Sequence, residues 1–322
     1  MIVALAGGVG GARLGVGLAQ VLRTAELAFV VNTGDDFEHH GLTVCPDLDT
    51  MMYTLAGVSD AKRGWGRADE RWSFMGALAE LGGETWFQLG DRDLATHVLR
   101  SELLRNGVAL SEVTRRLARR LGIRHRLIPM SDSPVRTRVR SDRGEMPFQE
   151  YFVRLQCRPR VSGFRFAGSR GARVPAALRE IMGRGVKAAV ICPSNPYISI
   201  APILAVKEIH DGLARRTFPV VAVSPIVGGA AIKGPAAKML RELGAEVSAL
   251  GVARHYGRLV DGWVIDRQDE KLAPAIERAG HAVVVTDTIM SSRAKSAALG
   301  RRVTAFIETL ATPAAKRSHA AR

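Results

Sequence analysis

Cysteine is scarce in this sequence, and that scarcity excludes a disulfide framework. Cys45, Cys157 and Cys192 are odd in number and far apart, the usage expected of a chain held in a reducing cytoplasm. No run of about 18 apolar residues occurs, so no helical membrane span and no membrane partner are expected. The opening MIVALAGG lacks a basic start, its apolar run is too short for a secretory leader, and it reads as a first strand. Aromatic residues make up only 6% and follow no RNP, zinc-finger or basic-region pattern, which argues against nucleic acid as a partner despite a net charge of +15. The densest basic run, SEVTRRLARRLGIRHR, carries Val113, Leu117 and Leu121 at helical spacing, so its arginines flank the buried stripe of an amphipathic helix. There is no G-x-x-x-x-G-K-[ST], no G-x-S-x-G and no H-E-x-x-H, and His39, His40 and Cys45 match no standard zinc spacing. What the excess charge still offers is attraction for small polyanions.

The most local absence is of positive charge. From Thr24 to Ala61 there is no Lys or Arg, while Glu26, Asp35, Asp36, Glu38, Asp47, Asp49 and Asp60 all fall there. Carboxylates gathered without basic partners repel one another unless they share protons or hold a cation. A hard cation such as Mg²⁺, which takes one or two carboxylates and fills its shell with water and phosphate oxygens, is one reading, with Asp35, Asp36 and Asp47 as candidate ligands. A solvated acidic loop is the other.

Residues 2–6 form an apolar β-type run, followed by a glycine turn, a helix over 12–23 and a second strand over 28–31, which is a βαβ beginning. A further helix is expected over 48–56. Residues 1–61 then read as the first part of a core, and the mostly helical stretch 62–126, with a short strand at 86–89, as an insertion. The remainder of the core, 127–311, includes a small antiparallel segment at about 135–166, with strands expected over 135–140, 148–155 and 161–166. Strand–helix alternation resumes with strands over 188–192, 220–224, 263–266 and 282–286, and 312–322 reads as a flexible tail. The fold class this predicts is α/β: a Rossmann-like, mostly parallel, doubly wound sheet with an inserted helical subdomain and a small antiparallel region.

Loops after three of these strands have the composition of ligand contacts. GGVGG does not fit G-x-G-x-x-G, because the third position counted from Gly8 falls on Arg13. A glycine turn opening a helix still exposes backbone N–H groups to an anion, so Gly8, Gly10 and Gly11 are either a phosphate site or a tight structural turn. Pro193, Ser194, Asn195 and Pro196 follow one strand, and Gly228, Gly229, Lys233 and Gly234 follow another. Both positions are where open α/β sheets collect ligands, although Ser, Asn and Pro also favour turns on their own account. In LGDRDLATH, Arg92 stands between Asp91 and Asp93 at a helix start, either as a surface ion pair or as an arginine aimed at substrate.

Taken in order, AGGVGGARL, VVNTGDDFEHHGLTVCPDLDTMMYTLAG, LGDRDLATH, LIPMSDSPVRT, ICPSNPYISIAPIL and VAVSPIVGGAAIKGPAAKM resemble the 2-phospho-L-lactate transferase family of coenzyme F-420 biosynthesis, from Met1 to roughly Leu310. The resemblance implies a Rossmann-like homodimer that requires Mg²⁺. It implies transfer of a phospholactyl or phosphoenolpyruvyl unit from lactyl- or enolpyruvyl-2-diphospho-5′-guanosine to the ribityl hydroxyl of the deazaflavin Fo, with GMP leaving. It places deazaflavin contacts on Asp49 and Arg92, and the nucleotide across Gly8, Gly10, Gly11, Ser194, Asn195 and the loop holding Gly228 and Lys233. Arg13 and Lys233 are candidate donors to the diphosphate, Asp36 a candidate catalytic metal ligand, and Asp49 the candidate that orients the hydroxyl. The gluconeogenesis-factor-like regulators, which bind nucleotide-sugars, resemble the start of the chain but tend to carry a Gly-Ser-rich loop in place of GDDFEHHGLTVCPDLDT.

Overall fold

The computed structural model describes residues 1–311, and the tail expected over 312–322 lies outside the described residues. Among the described residues, β1 (Ile2–Ala6), β2 (Leu27–Val31), β3 (Arg126–Pro129), β4 (Ala188–Ile191), β5 (Val220–Val223), β6 (Gly262–Asp266) and β7 (Ala282–Thr286) form one sheet in the order 7-6-5-4-1-2-3. Every pairing in it is parallel. These strands are continuous apolar runs because helices cover both faces. Along β1, Val3 and Leu5 join one core layer with Val30, Ile191 and Ile203, while Ile2, Ala4 and Ala6 join the other with Leu14, Leu18 and Phe29. The α/β class expected from strand–helix alternation is the one observed.

Helix α1 (Gly8–Val21) leaves β1 directly and crosses the C-terminal helix Arg293–Ala311. The crossing explains a glycine inside a helix. A Cβ on Gly17 would sit 2.0 Å from the Ser296 carbonyl oxygen, so only glycine permits the approach.

The long connection from β2 to β3 positions the site. Its first part, read from sequence as loop, folds as a hairpin of Phe37–His39 against Leu42–Val44. His40 and Gly41 both take positive φ, 51° and 71°, the turn that matches strand twist in a two-residue hairpin. Pro46 then opens α2 (Pro46–Ala56), with Asp47 and Asp49 in its first turn, where the helix dipole favours anions. Helices α3 (Ser73–Glu80), α4 (Asp91–Arg105) and α5 (Leu110–Arg120) complete the connection.

Two expected strands are absent. Residues 86–89 are irregular, and the rings of Trp86 and Phe87 pack on Phe37 and His39 instead of joining a ladder. Residues 148–155 are helical around a turn at Glu150–Arg154, and the strand is Gly144–Pro147. Phe148, Tyr151 and Leu155 recur at helical spacing and pack into a small core with Val139, Met146, Val161, Ile198 and Met239, so the period was 3.6 and not 2. Arg136–Ser141 and Val161–Ala167 complete that antiparallel sheet.

Candidate active site

β1 and β4 lie side by side, yet the segments that follow them pack on opposite faces: α1 through Leu14 and Leu18, the turn after β4 through Ile200 and Ile203. Such a reversal of strand order opens a crevice at the strand carboxyl ends. Here the two turns interlock. Ser194 Oγ donates to the Gly7 carbonyl at 2.8 Å and accepts the Gly7 N–H at 3.2 Å. A Cβ on Gly10 would lie 2.2 Å from the Pro193 carbonyl oxygen, so the turns could not close with a larger residue there.

Above them is a cavity of about 640 Å³. Of the residues expected to contact nucleotide, Gly8, Gly10, Arg13, Ser194, Asn195 and Lys233 line it. Gly11 lies behind, against Ser194 and Ala6, and Gly228 faces away, its N–H held by the Asp269 carboxylate at 3.1 Å. Arg13 Nη1 donates to the Met290 carbonyl at 3.2 Å, which ties one arm of the guanidinium to that residue.

One wall carries Asp35 and Asp47. The solvated-loop reading of the acidic stretch does not survive: Asp35, Asp36, Asp47 and Asp49 are only 6, 3, 7 and 5% exposed. Asp47 Oδ1 accepts the Gly8 N–H at 2.8 Å and its Oδ2 accepts Asn32 Nδ2 at 2.9 Å. Burial nevertheless pushes its carboxyl up to about 6, against those hydrogen bonds. Burial, and then the neighbouring Asp47 charge, drive Asp35 well above the ordinary carboxylate range. Asp35 Oδ1 is buried with no hydrogen-bond partner. An orphaned oxygen beside a second carboxylate that no cationic side chain meets suits a hard cation, and Asp35 and Asp47 are the residues that would hold one from the cavity side. Asp36 does not line the cavity. Burial pushes it up to about 7, with Arg136 opposing, and its Oδ1 is also unpartnered.

The second wall is built by α2 and α4. Asp49 is gripped by Arg100, whose Nη2 meets Oδ1 and whose Nη1 donates to Oδ2 at 3.0 Å. Arg100 Nη1 also lies 3.1 Å from His97 Nδ1. His97 Nε2 is 3.3 Å from Asp93 Oδ1, and the Tyr53 hydroxyl donates to that same oxygen at 2.7 Å. Burial opposes charge on Asp93, but His97 and Tyr53 hold its carboxyl below the usual range. Burial likewise opposes charge on Arg100, and Asp49 overcomes it, so the guanidinium stays charged.

Sequence reasoning did not assign Tyr53, Asp93, His97 or Arg100. A signal was present: α4 is inside out. It buries Asp93, His97, Arg100 and Ser101 while Val98 and Leu99 face solvent. A polar stripe at positions 93, 97 and 100 follows the i, i+4, i+7 face of one helix. Arg92, given a ligand contact by resemblance, is exposed at the start of α4 and outside the cavity lining; the arginine that reaches Asp49 is Arg100. Aromatic rings complete the cavity. Trp65, Trp86, Phe87, Phe148 and Phe152 line it, and Phe148 stacks on Phe152 at 5.3 Å with planes 15° apart.

A family model described as 2-phospho-L-lactate transferase CofD matches residues 2–305. The phosphoenolpyruvate transferase of Kitasatospora aureofaciens is 44% identical over 315 residues, covering 95% of this chain and 98% of that protein. The 2-phospho-L-lactate transferase of Methanosarcina acetivorans is 38% identical over 309 residues, covering 96% of this chain and 100% of that one. Among solved structures, a member of the UPF0052 family from Bacillus halodurans matches with a TM-score of 0.63 at 12% identity, over 94% of this chain and 98% of its own. At that identity the likeness is one of fold.

Proposed function

The chain belongs to the CofD family of 2-phospho-L-lactate transferases, enzymes of coenzyme F-420 biosynthesis, and from that premise we propose which substrates its cavity takes. The donor is enolpyruvyl- or lactyl-2-diphospho-5′-guanosine, and the acceptor is the deazaflavin Fo. The ribityl hydroxyl oxygen attacks the phosphorus bearing the acid, the bridging P–O bond breaks, and GMP leaves with that bridging oxygen.

The observation that carries this reading is the presence of two unlike sets of groups in one cavity. The glycine turn, Ser194, Asn195, Arg13 and Lys233 offer donors suited to a nucleoside diphosphate. Asp49 and the rings of Trp86, Phe87, Phe148 and Phe152 line the same cavity and suit a planar tricycle bearing a polyol. Asp49 orients the attacking hydroxyl and accepts its proton. A bound Mg²⁺, held by Asp35 and Asp47, would supply charge neutralisation at the diphosphate. Relatives named phosphoenolpyruvate transferases are 40–44% identical and those named 2-phospho-L-lactate transferases 37–38%, which supports the enolpyruvyl donor.

The test is mass measurement of the product formed from Fo, Mg²⁺ and each guanylated donor. A phosphodiester of Fo with equimolar GMP is expected. A protein that binds the guanylated donor yet leaves Fo fluorescence unchanged in titration would instead be a nucleotide-binding regulator.

A further inference from the structure

Oxygen and nitrogen atoms of Asp49, Asp93 and His97 lie within 4.8 Å of one another, all buried, the spacing at which a metal ion is normally sought. A cation already serves them. Arg100, 1% exposed, spans both oxygens of Asp49 and points Nη1 at His97 Nδ1. A guanidinium only donates, and Nη1 faces Asp49 Oδ2 at 3.0 Å, His97 Nδ1 at 3.1 Å and the Thr43 carbonyl at 3.3 Å, an arrangement that favours Nδ1 as an acceptor with the ring proton on Nε2. Nε2 makes no hydrogen bond within the protein, but it lies 3.3 Å from Asp93 Oδ1, nearer a carboxylate than Nδ1, which is 3.7 Å from Asp49 Oδ2, so a proton is better placed on Nε2.

We propose that Arg100 is a positioning residue that takes the place of a metal in this cluster. It fixes the Asp49 carboxylate so that the lone pairs it does not use stay available to a hydroxyl, and it fixes His97 as the Nε2–H tautomer. A carboxylate has about four lone-pair sites, and Arg100 takes one on each oxygen, which leaves acceptors on the cavity side. Tyr53, Asp93, His97, Arg100 and Asp49 thereby form one chain of contacts tying α2 to α4. Lysine cannot replace this grip, since a compact ammonium has no planar fork. The inference rests on the reading of Asp49 as the group that orients the acceptor hydroxyl.

The test is Arg100→Lys, read in two ways. Steady-state kinetics should show kcat lower by roughly tenfold to a hundredfold, the cost of a misplaced reacting group, with the KM of the guanylated donor within about twofold. Ring ¹⁵N signals of His97, identified by their loss in His97→Gln, should report a single Nε2–H tautomer in wild type and a tautomer mixture in Arg100→Lys. An unchanged kcat, or a fall matched by an equal rise in donor KM, overturns the positioning role. A wild-type protein that turns over no Fo overturns the substrate reading instead, and the ¹⁵N measurement, which needs no substrate, then decides whether Arg100 sets the tautomer. Should Arg100→Lys fail to fold, the wild-type spectrum decides alone: an Nδ1–H tautomer overturns the proposal.

Discussion

The two acidic walls of the cavity are made of the same residue type at the same depth, yet one is compensated and the other is not. Asp49 and Asp93 sit with Arg100, His97 and Tyr53, so charge there is met by protein donors. Asp35 and Asp47 are met by neutral donors, the Asn32 amide, the Thr137 hydroxyl and a helix N-terminal N–H, and among the described residues neither forms an ion pair. A compensated carboxylate is rigid and acts as a fixed acceptor. An uncompensated one protonates or waits for an external cation. The chain thus builds a permanent cation into the wall proposed for the neutral acceptor and leaves a charge demand on the wall proposed for the diphosphate.

Asp49→Asn should break the compensated wall most severely. Its amide NH₂ would face Arg100 donor to donor, and turnover should fall by about 10²–10⁴-fold, the usual contribution of base help. Near-normal turnover in a coupled GMP-release assay would remove Asp49 from the chemistry. Arg100→Met attacks the same pair through stability. An unpaired buried carboxylate should cost about 3–5 kcal/mol of folding free energy, measured by urea unfolding. Adding Asp49→Asn to Arg100→Met should recover part of that loss, because the stranded charge is gone; additive effects would mean that the two residues do not interact.

Asp47 in the uncompensated wall, with Asp36 buried outside the cavity lining, predicts an inverted pH response in metal-free protein. Asp47 and Asp36 have folded-state pKa values raised to about 6 and about 7, above those of an unfolded chain. Their contribution is therefore fully present below about pH 4 and is lost as pH rises through 6 and 7. For Asp47 alone, two units correspond to about 3 kcal/mol. Thermal scans in EDTA should show these carboxylates lowering Tm between pH 5 and 8, and Mg²⁺ should restore it at pH 8. A Tm flat over that interval in both wild type and Asp47→Asn would remove the charge demand.

The contrast between the walls also explains what sequence could reveal. The sheet was legible because strands covered on both faces are unbroken apolar runs, and the turns that line the cavity because glycine, serine and asparagine gather at the strand ends. The acidic wall was legible as a gap in positive charge. Residues 148–155 were misread because a short apolar run does not declare its period. Arg100 was missed for a stronger reason: α4 buries its polar face, so an arginine pointing inward looks like one pointing out until Asp49, far away in sequence, is seen opposite it. Arg92, flanked by carboxylates at the helix start, was the more visible arginine and lies on the outside.

Asn32→Ala should give the smallest effect and the sharpest reading of the open wall. Asn32 is fully buried, donates to Asp47 Oδ2 at 2.9 Å and to the Ile198 carbonyl at 3.2 Å, and accepts the Gly34 N–H at 2.8 Å. Its bond to Asp47 pulls that carboxyl down against burial, so removing it lets the carboxyl rise above about 6. Protons then compete with Mg²⁺ near neutral pH. The Mg²⁺ concentration for half-maximal turnover at pH 7 should rise by about tenfold, the effect of losing a group that orients a ligand, while kcat at saturating Mg²⁺ stays within about twofold. Raising the pH to 9 should shrink the difference, since Asp47 is ionised there with or without the amide. A tenfold defect that persists at pH 9 would mean that Asn32 shapes the turn around Gly34 and does not tune Asp47. The proton on Asp47 would then not be what limits metal binding.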